Sequence, residues 1–368
     1  MATMSRTAII VTAAIIAAVV LVVAVCFGRY AYRRHQRAQV LNKREDDQVR
    51  YAFVMNPSKP QAKRCRMQIK RFCRRREITD FVFIDTTLER DGYACARQAL
   101  ADGASVVVAV GGDGTVRTVA SAMAGTGHAM GIVPIGTGNL FARNMGIPVD
   151  DIEAALTVAT SHGERMVDVG RLSLLDSEKE RKVGHAFLII AGIGFDARMI
   201  DDTSPELKKN ISWLAYFSGG MKNMFTPKYR GSMSLTTADG TTHTKEDLEF
   251  RTFMSGNCGQ IPVFSLMPNA VYDDGVLDFE IIDTRGGLLG WVNLFGDVMH
   301  QTITGKAEQA PWTTNSTIDQ LQGISAEVRL ETPALAQVDG DTLQETKHIM
   351  FTVEPRSLCV RVPITANR

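Results

Sequence analysis

Five apolar residues, Val106-Val-Val-Ala-Val110, run straight into Gly111-Gly112-Asp113-Gly114-Thr115, and a helical pattern opens at Val116. A strand that is apolar throughout is covered on both faces, which is the setting of a parallel sheet with helices on either side. The three glycines let the backbone turn sharply and approach another group closely. The first N–H groups of the helix that follows lack partners within it and attract anions. Taken alone, such a turn also serves as a plain strand-to-helix connection.

A second turn of this kind, Pro134-Ile135-Gly136-Thr137-Gly138-Asn139, follows the next predicted strand, Gly131–Ile135. Loops at the carboxyl ends of neighbouring parallel strands share one edge, where open α/β sheets bind ligands, so the two turns are expected side by side. Neither turn is G-x-x-x-x-G-K-[ST] or a clean G-x-G-x-x-G, which excludes the P-loop and dinucleotide fingerprints. Further strands are predicted at Tyr51–Met55 and Phe81–Ile84, with stretches of helix length between them. The expected fold class is an α/β nucleotide-binding domain with a parallel sheet over residues 50–165, followed by a mainly β domain.

That second domain, over residues 166–368, rests on predicted strands at Ala186–Ile190, Ser232–Thr237, Phe250–Met254, Leu277–Ile282, Ile324–Leu330 and His348–Val353, its last segment compatible with a return to the first domain. Helices are expected near Pro205–Met224 and Gly287–Thr304. In the latter, Leu288, Trp291, Phe295 and Val298 recur at helical spacing and read as core packing. The composition, 45% hydrophobic and 22% charged, is that of a globular chain, and 41 Lys plus Arg against 40 Asp plus Glu excludes a polycation.

The stretch from Thr7 to Phe27 carries no charge. At about 1.5 Å per residue it spans roughly 30 Å, one hydrocarbon core, so it is predicted to be a transmembrane helix. Arg29, Arg33, Arg34 and Arg37 follow it, a bias that predicts a single-pass cell-membrane protein with its catalytic part in the cytoplasm and residues 28–49 as linker. The six cysteines show no C-x-x-C pair and read as free thiols.

Gly111-Gly-Asp-Gly-Thr115 followed by Gly136-Thr-Gly-Asn139 resembles the catalytic domain shared by diacylglycerol kinases and sphingosine kinases. The resemblance runs on through Asn56-Pro57, Thr86-Thr87, Met166-Val-Asp168-Val-Gly-Arg171, Gly192-Ile-Gly-Phe-Asp196, Pro268 to Asp278 and Val338-Asp339-Gly340-Asp341. It implies a nucleotide domain of the NAD-kinase/diacylglycerol-kinase type, a β-rich domain resembling a sandwich, and a cleft between them. It also implies that Asn56, Thr87, Gly111, Gly112, Asp113, Gly114, Thr115, Gly136, Thr137, Gly138 and Asn139 hold ATP. Asp274 with the carbonyls of Val271 and Val276 would hold a structural Mg²⁺ ion. Asp168 would organise the catalytic Mg²⁺ through water, and Asp341 stands where the family carries a longer Glu.

The implied reaction is ATP-dependent phosphorylation of a lipid hydroxyl, with diacylglycerol as the first expectation and a sphingoid base or another lipid alcohol as the alternative. Phosphoryl transfer asks for positioning, charge neutralisation and a carboxylate that takes the hydroxyl proton. Two candidates for that base stay open: Asp339, to which the resemblance points, and Asp113, since sphingosine kinases assign the hydroxyl to the aspartate of the glycine-rich loop. Leu140 after Asn139, and Asn56-Pro-Ser-Lys-Pro60 without a small Ser-Gly step, depart from the pattern. A kinase of a soluble substrate, such as NAD, and a membrane sensor without turnover remain the rivals.

Lys63, Arg64, Arg66, Lys70, Arg71, Arg74, Arg75 and Arg76 form a basic helix. It reads as a solvated face or as a surface for anionic lipid headgroups. Without interleaved aromatic rings it does not read as a nucleic-acid site. The expected partner is a lipid substrate in the membrane, and a homodimer is compatible with the sequence.

Overall fold

In a computed structural model the described residues are 49–176, 184–194, 228–258, 270–284 and 316–364, with positions 178, 181, 260, 261, 264, 265 and 267 between them. The apolar stretch 7–27, the linker up to residue 48 and the helices expected near 205–224 and 287–304 lie outside them.

The amino-terminal half alternates strand and helix: β1 (Tyr51–Met55), α1 (Ala62–Arg75), β2 (Phe81–Asp85), α2 (Gly92–Ala101), β3 (Val106–Gly111), α3 (Asp113–Met123), β4 (Ala129–Pro134), α4 (Leu140–Asn144) and α5 (Ile152–Ala159). The four strands are parallel in the order β4-β3-β1-β2. Every residue of β1, β3 and β4 is buried, as apolar strands covered on both faces must be. On one face α1 contributes Cys65, Ile69 and Phe72, at helical spacing, to a core shared with Phe53, Val108 and Leu156. On the other face Cys95 and Ala99 of α2 pack with Val116, Val119 and Met123 of α3. Asp91 and Asp151 cap α2 and α5 by accepting backbone N–H groups of the first turn.

The remaining strands are β5 (Glu164–Leu174), β6 (His185–Phe187), β7 (Ile190–Gly194), β8 (Tyr229–Thr236), β9 (Thr242–Phe250), β10 (Thr252–Gly256), the short pair β11 (Gln260–Ile261) and β12 (Phe264–Ser265), β13 (Leu277–Thr284), β14 (Ser316–Gly323), β15 (Ser325–Val338) and β16 (Asp341–Arg361). All but the β11–β12 pair join the parallel strands in one mixed sheet whose main path is β14-β13-β10-β7-β15-β16-β4-β3-β1-β2. β16 is the connecting strand. Its first half pairs antiparallel with β15, and its end pairs antiparallel with β5 and parallel with β4 through Cys359 and Val360. Between the two halves the register slips from Glu354 to Leu358, where Arg356 has φ 46°. A second core, built on Phe253, Phe279 and Phe351 with ring centroids 5.5–6.1 Å apart, fills the space under β10, β13 and β16.

The strand expected at Ala186–Ile190 is two strands broken at Leu188–Ile189, and the one expected at Phe250–Met254 divides at Arg251. Among the described residues no helix is long and apolar enough to cross a membrane. The single-pass, cell-membrane placement expected from the sequence is corrected on that finding. The five described cysteines are free and buried.

Glu280 on β13 is buried at 2% exposure and accepts from Gln320 Nε2 at 2.7 Å. Burial is the main cause that pushes its carboxyl up to about 8. A carboxyl whose pKa is raised on folding stabilises the fold at low pH, and that stability is lost as pH climbs from the unfolded value through the folded one. Urea unfolding should therefore show the protein losing stability between pH 5 and pH 9 on the order of a few kcal/mol, and Glu280→Gln should flatten that slope. An unchanged slope in the variant would reject Glu280 as its source.

Candidate active site

The two glycine turns meet backbone to backbone. A Cβ placed on Gly136 would stand 2.5 Å from Gly112 Cα, so neither loop tolerates a side chain at the contact. Asp113 opens α3, and its carboxylate crosses to the second turn, accepting from Asn139 N at 2.8 Å and Leu140 N at 2.6 Å. A Cβ on Gly138 would lie 2.9 Å from Asp113 Oδ2, which is why residue 138 is glycine. Asn139, left-handed at φ 50°, closes its own turn by accepting from Gly136 N and donating to Gly136 O. Burial raises the Asp113 pKa, and the N–H groups of Leu140 and Asn139 hold it down. Both oxygens of Asp113 are thus engaged in fixing the second loop on the first.

Asn56 ends β1 at the same edge; its Oδ1 accepts from Ser58, and Nδ2 reaches Thr115 Oγ1 at 3.5 Å. Thr115 packs beneath Gly111 so closely that a Cβ there would overlap it. Thr87 lies in the exposed turn after β2 and accepts from Arg90 N, while Thr137 is exposed between Gly136 and Gly138. Lys59, half-buried, carries its Nζ to 3.6 Å from the Cβ position of Gly112. The anion-attracting start of α3 therefore has a cation above it.

Asp339 and Gly340 are the two central residues of the turn joining β15 to β16, with φ 46° and 87° and Val338 paired with Asp341. Two positive φ angles make this the hairpin turn that Asp-Gly favours. Asp339 Oδ2 accepts from Leu188 N, and Oδ1 accepts from Ile189 N and Ile190 N, all at 2.8–2.9 Å. The break between β6 and β7 is what turns these three N–H groups onto one carboxylate. Of roughly four lone-pair positions on a carboxylate, one on Oδ2 stays open. Burial pushes its pKa up to about 6, against the pull of those N–H groups and of the Arg117 charge.

Arg117 of α3 donates to Asp341 Oδ2 at 2.5 Å, and Asp341 Oδ2 lies 3.2 Å from the Cβ position of Gly114. This ion pair ties the turn carrying Asp339 to the helix that begins in the glycine loop. Neither Arg117 nor Lys59 is singled out by the sequence reading. The three N–H groups at 188–190 were masked there by a continuous apolar run, although the Asp-Gly pair between two alternating segments is itself a hairpin signal.

Asp168 is fully buried at the junction of the two halves, where Oδ2 accepts from Gly275 N at 2.7 Å and Oδ1 from Arg356 N at 2.6 Å. Its carboxylate holds these two backbone N–H groups in place. Asp274 sits in the turn pinned by Asp168; its pKa is raised by burial and by the neighbouring Asp168 and Asp273 charges, while Val276 N donates to it. Among the described residues no three His, Cys, Asp or Glu side chains converge to hold a metal. Any cation there would rely on backbone carbonyls such as those of Val271 and Val276.

Residues 50–172 match the diacylglycerol kinase catalytic domain. The Pseudomonas aeruginosa protein named "Probable lipid kinase YegS-like" is 30% identical over 278 residues, covering 74% of this chain and 82% of that protein. A diacylglycerol kinase of Bacillus subtilis is 29% identical over 199 residues, 54% of this chain and 61% of the relative. The crystal structure of a diacylglycerol kinase from Bacillus anthracis superposes with a TM-score of 0.63 at 19% identity, covering 87% of this chain and 98% of the other.

Asp113→Asn replaces one acceptor with an N–H₂ group facing either Asn139 N–H or Leu140 N–H. The expected loss is about 1–3 kcal/mol in urea unfolding. Unchanged stability would mean that the carboxylate does not hold the second loop.

Proposed function

Because the chain belongs to the YegS-like lipid kinases, enzymes built on the diacylglycerol kinase catalytic domain, we propose that Asp339 takes the proton of a diacylglycerol hydroxyl as the γ-phosphoryl group of ATP moves onto it. The observation that carries this reading is the Asp339 carboxylate itself: fixed by three backbone N–H groups, next to the glycine loop, with one lone pair open. A general base needs that fixed geometry and a pKa below but near the working pH. The other candidate, Asp113, has its oxygens turned to the second loop.

The nucleotide phosphates lie at the start of α3, where glycines 111, 112 and 114 allow close backbone approach and Lys59 offsets negative charge. Asn56, Thr87, Thr115 and Thr137 line the same edge and take up the rest of ATP. Arg117, through Asp341, keeps the base over the loop from which the phosphoryl group leaves.

The acidic turn fits a hard divalent cation. Burial first, and then the Asp168 and Asp273 charges, raise the proton affinity of Asp274; Mg²⁺ would relieve that crowding of negative charge, and a carboxylate with backbone carbonyls is an oxygen donor set of the right kind. Asp274 with Val271 and Val276 would hold that structural ion. Bound with ATP, Mg²⁺ supplies neutralisation of the phosphate charge. Asp341 is the side chain nearest the loop with exposed carboxylate surface to serve it, at 55% exposure.

Purified protein with Mg²⁺, γ-labelled ATP and diacylglycerol in mixed micelles should yield labelled phosphatidic acid, and Asp339→Asn should lower kcat by about 10²-fold or more. Label in a different lipid alcohol but not in diacylglycerol would move the acceptor and leave the base. Full activity in Asp339→Asn would reject the base.

The rate should fall about tenfold per pH unit below a limb near pH 6, because Asp339 binds a proton there and loses its acceptor role. Lys59→Ala should raise KM for ATP roughly tenfold with kcat little changed, the result of losing a contact made equally in ground and transition states. A fall in kcat alone would place Lys59 elsewhere in the mechanism.

A further inference from the structure

Helix α1 carries seven basic residues and no acidic one in fourteen positions, on a chain whose net charge is only +1. Three of the seven have partners: Arg66 pairs with Asp85 and lies 4.6 Å over the Phe83 ring, Lys70 lies 6.0 Å from the same ring, and Arg75 pairs with Glu153 at 2.8 Å. Lys63, Arg64, Arg71 and Arg74 are exposed and have no ion pair among the described residues. Like charges stand four apart at Arg66 and Lys70, Lys70 and Arg74, and Arg71 and Arg75, an arrangement that destabilises a helix in isolation. A sequence that keeps such a face at a cost to its own helix is provided for by a negatively charged surface outside the chain. Arginine dominates the set, and its planar fork matches phosphate oxygens better than a lysine does.

The same face presents one apolar side chain. Met67 is 64% exposed in the middle of the basic stripe, opposite the buried Ile69 and Phe72. The Arg66–Asp85 pair sets α1 over β2, the edge strand of the sheet, and three residues beyond Asp85 the turn at Leu88 is fully exposed. That turn belongs to the carboxyl edge of the sheet, the edge that carries the glycine loops. Basic groups flanking isolated exposed apolar side chains suit a bilayer interface, where charges meet headgroups and apolar tips enter between them. A polynucleotide would ask for stacking rings, and none lies on this stripe.

We propose that the outward face of α1, with Met67 and Leu88 as apolar points, docks the kinase on an anionic phospholipid surface and brings the nucleotide edge of the sheet close to its lipid acceptor. The choice of a bilayer over a polynucleotide rests on the lipid-kinase reading; the surface itself does not.

The full chain is to be compared on vesicles of phosphatidylcholine alone and of phosphatidylcholine with phosphatidylglycerol, over a series of salt concentrations. The quantity read is the gain in binding that phosphatidylglycerol confers, so apolar attraction common to both vesicles cancels. Wild type should show a gain that shrinks as salt rises. The Lys63→Gln, Arg64→Gln, Arg71→Gln, Arg74→Gln variant should lose at least about tenfold of it with its thermal unfolding unchanged. Met67→Ser with Leu88→Ser should weaken binding severalfold and keep the salt dependence. A gain that survives in the fourfold variant overturns the proposal, and so does a wild type that binds single-stranded RNA more tightly than the anionic vesicles. Vesicle binding requires no turnover: with both proteins inactive on every lipid but the gain intact in wild type, the kinase reading fails and the docking surface stands. A fourfold variant that works at the wild-type rate in neutral detergent micelles yet slowly on anionic vesicles supports docking and kinase together.

Discussion

A single buried carboxylate holds the two halves of this enzyme in register. Asp168 has no exposed surface and no ion pair among the described residues, and a buried carboxyl group of that kind needs hydrogen-bond partners on both oxygens. It sits on β5 where that strand and β16 pass from the parallel sheet into the antiparallel one. Its side chain takes the N–H of Gly275 from the acidic turn and the N–H of Arg356 from the bulge of β16, its own N–H donates to Tyr272 O, and its carbonyl accepts from Asn257. β16 runs from the hairpin turn that carries Asp339 to that bulge, so Asp168 and Asp339 are tied to the two ends of one stretch of strand.

Asp113 and Asp339 show how one residue type is given two tasks by its surroundings. Both are pushed toward the protonated form by burial, and both are pulled back by backbone N–H groups. The N–H groups around Asp113 come from the start of α4, so the carboxylate joins one glycine turn to the other. Those around Asp339 come from the strand break at the start of β7, the strand paired with β15, and they leave one lone pair on Oδ2 open. Geometry thus gives the two carboxylates different surroundings where residue type and loop position do not distinguish them.

The parallel half was legible in the sequence because its signals are local. Apolar runs ending in Asn-Pro or in a glycine turn gave β1, β3 and β4 within a residue or two, and the adjacent glycine turns do meet. The β half was read less well, for identifiable reasons. β15 continues to Val338 through Glu331, Thr332 and Pro333, because the proline sits in a register shift where a missing N–H costs nothing, so a strand looked as if it ended at Leu330. The run Ala186–Ile190 hid a break whose purpose is long-range, 150 residues from Asp339 along the chain. Arg117 and Lys59 carry no motif; only folding shows that one meets Asp341 and the other Gly112. The uncharged stretch at 7–27 was a strong local signal for a membrane span, and no described helix bears that placement out.

Since β16 is hydrogen-bonded to β15, β5 and β4 in turn, the two halves are not separate bodies on a flexible linker but parts of one sheet. Ladders resist shear, so relative motion has to be taken up where the ladder is already interrupted, between Glu354 and Leu358. That bulge is held by Asp168, and the distance across the site is held by Arg117 and Asp341. Widening the gap between Asp339 and the glycine loop would part the Arg117–Asp341 pair and leave an arginine that is only 13% exposed without its partner. Freeing Arg356 from Asp168 would leave a buried carboxylate short of a donor. The strand bulge and the Arg117–Asp341 pair are therefore the two places at which the halves are held to one another besides the ladder itself.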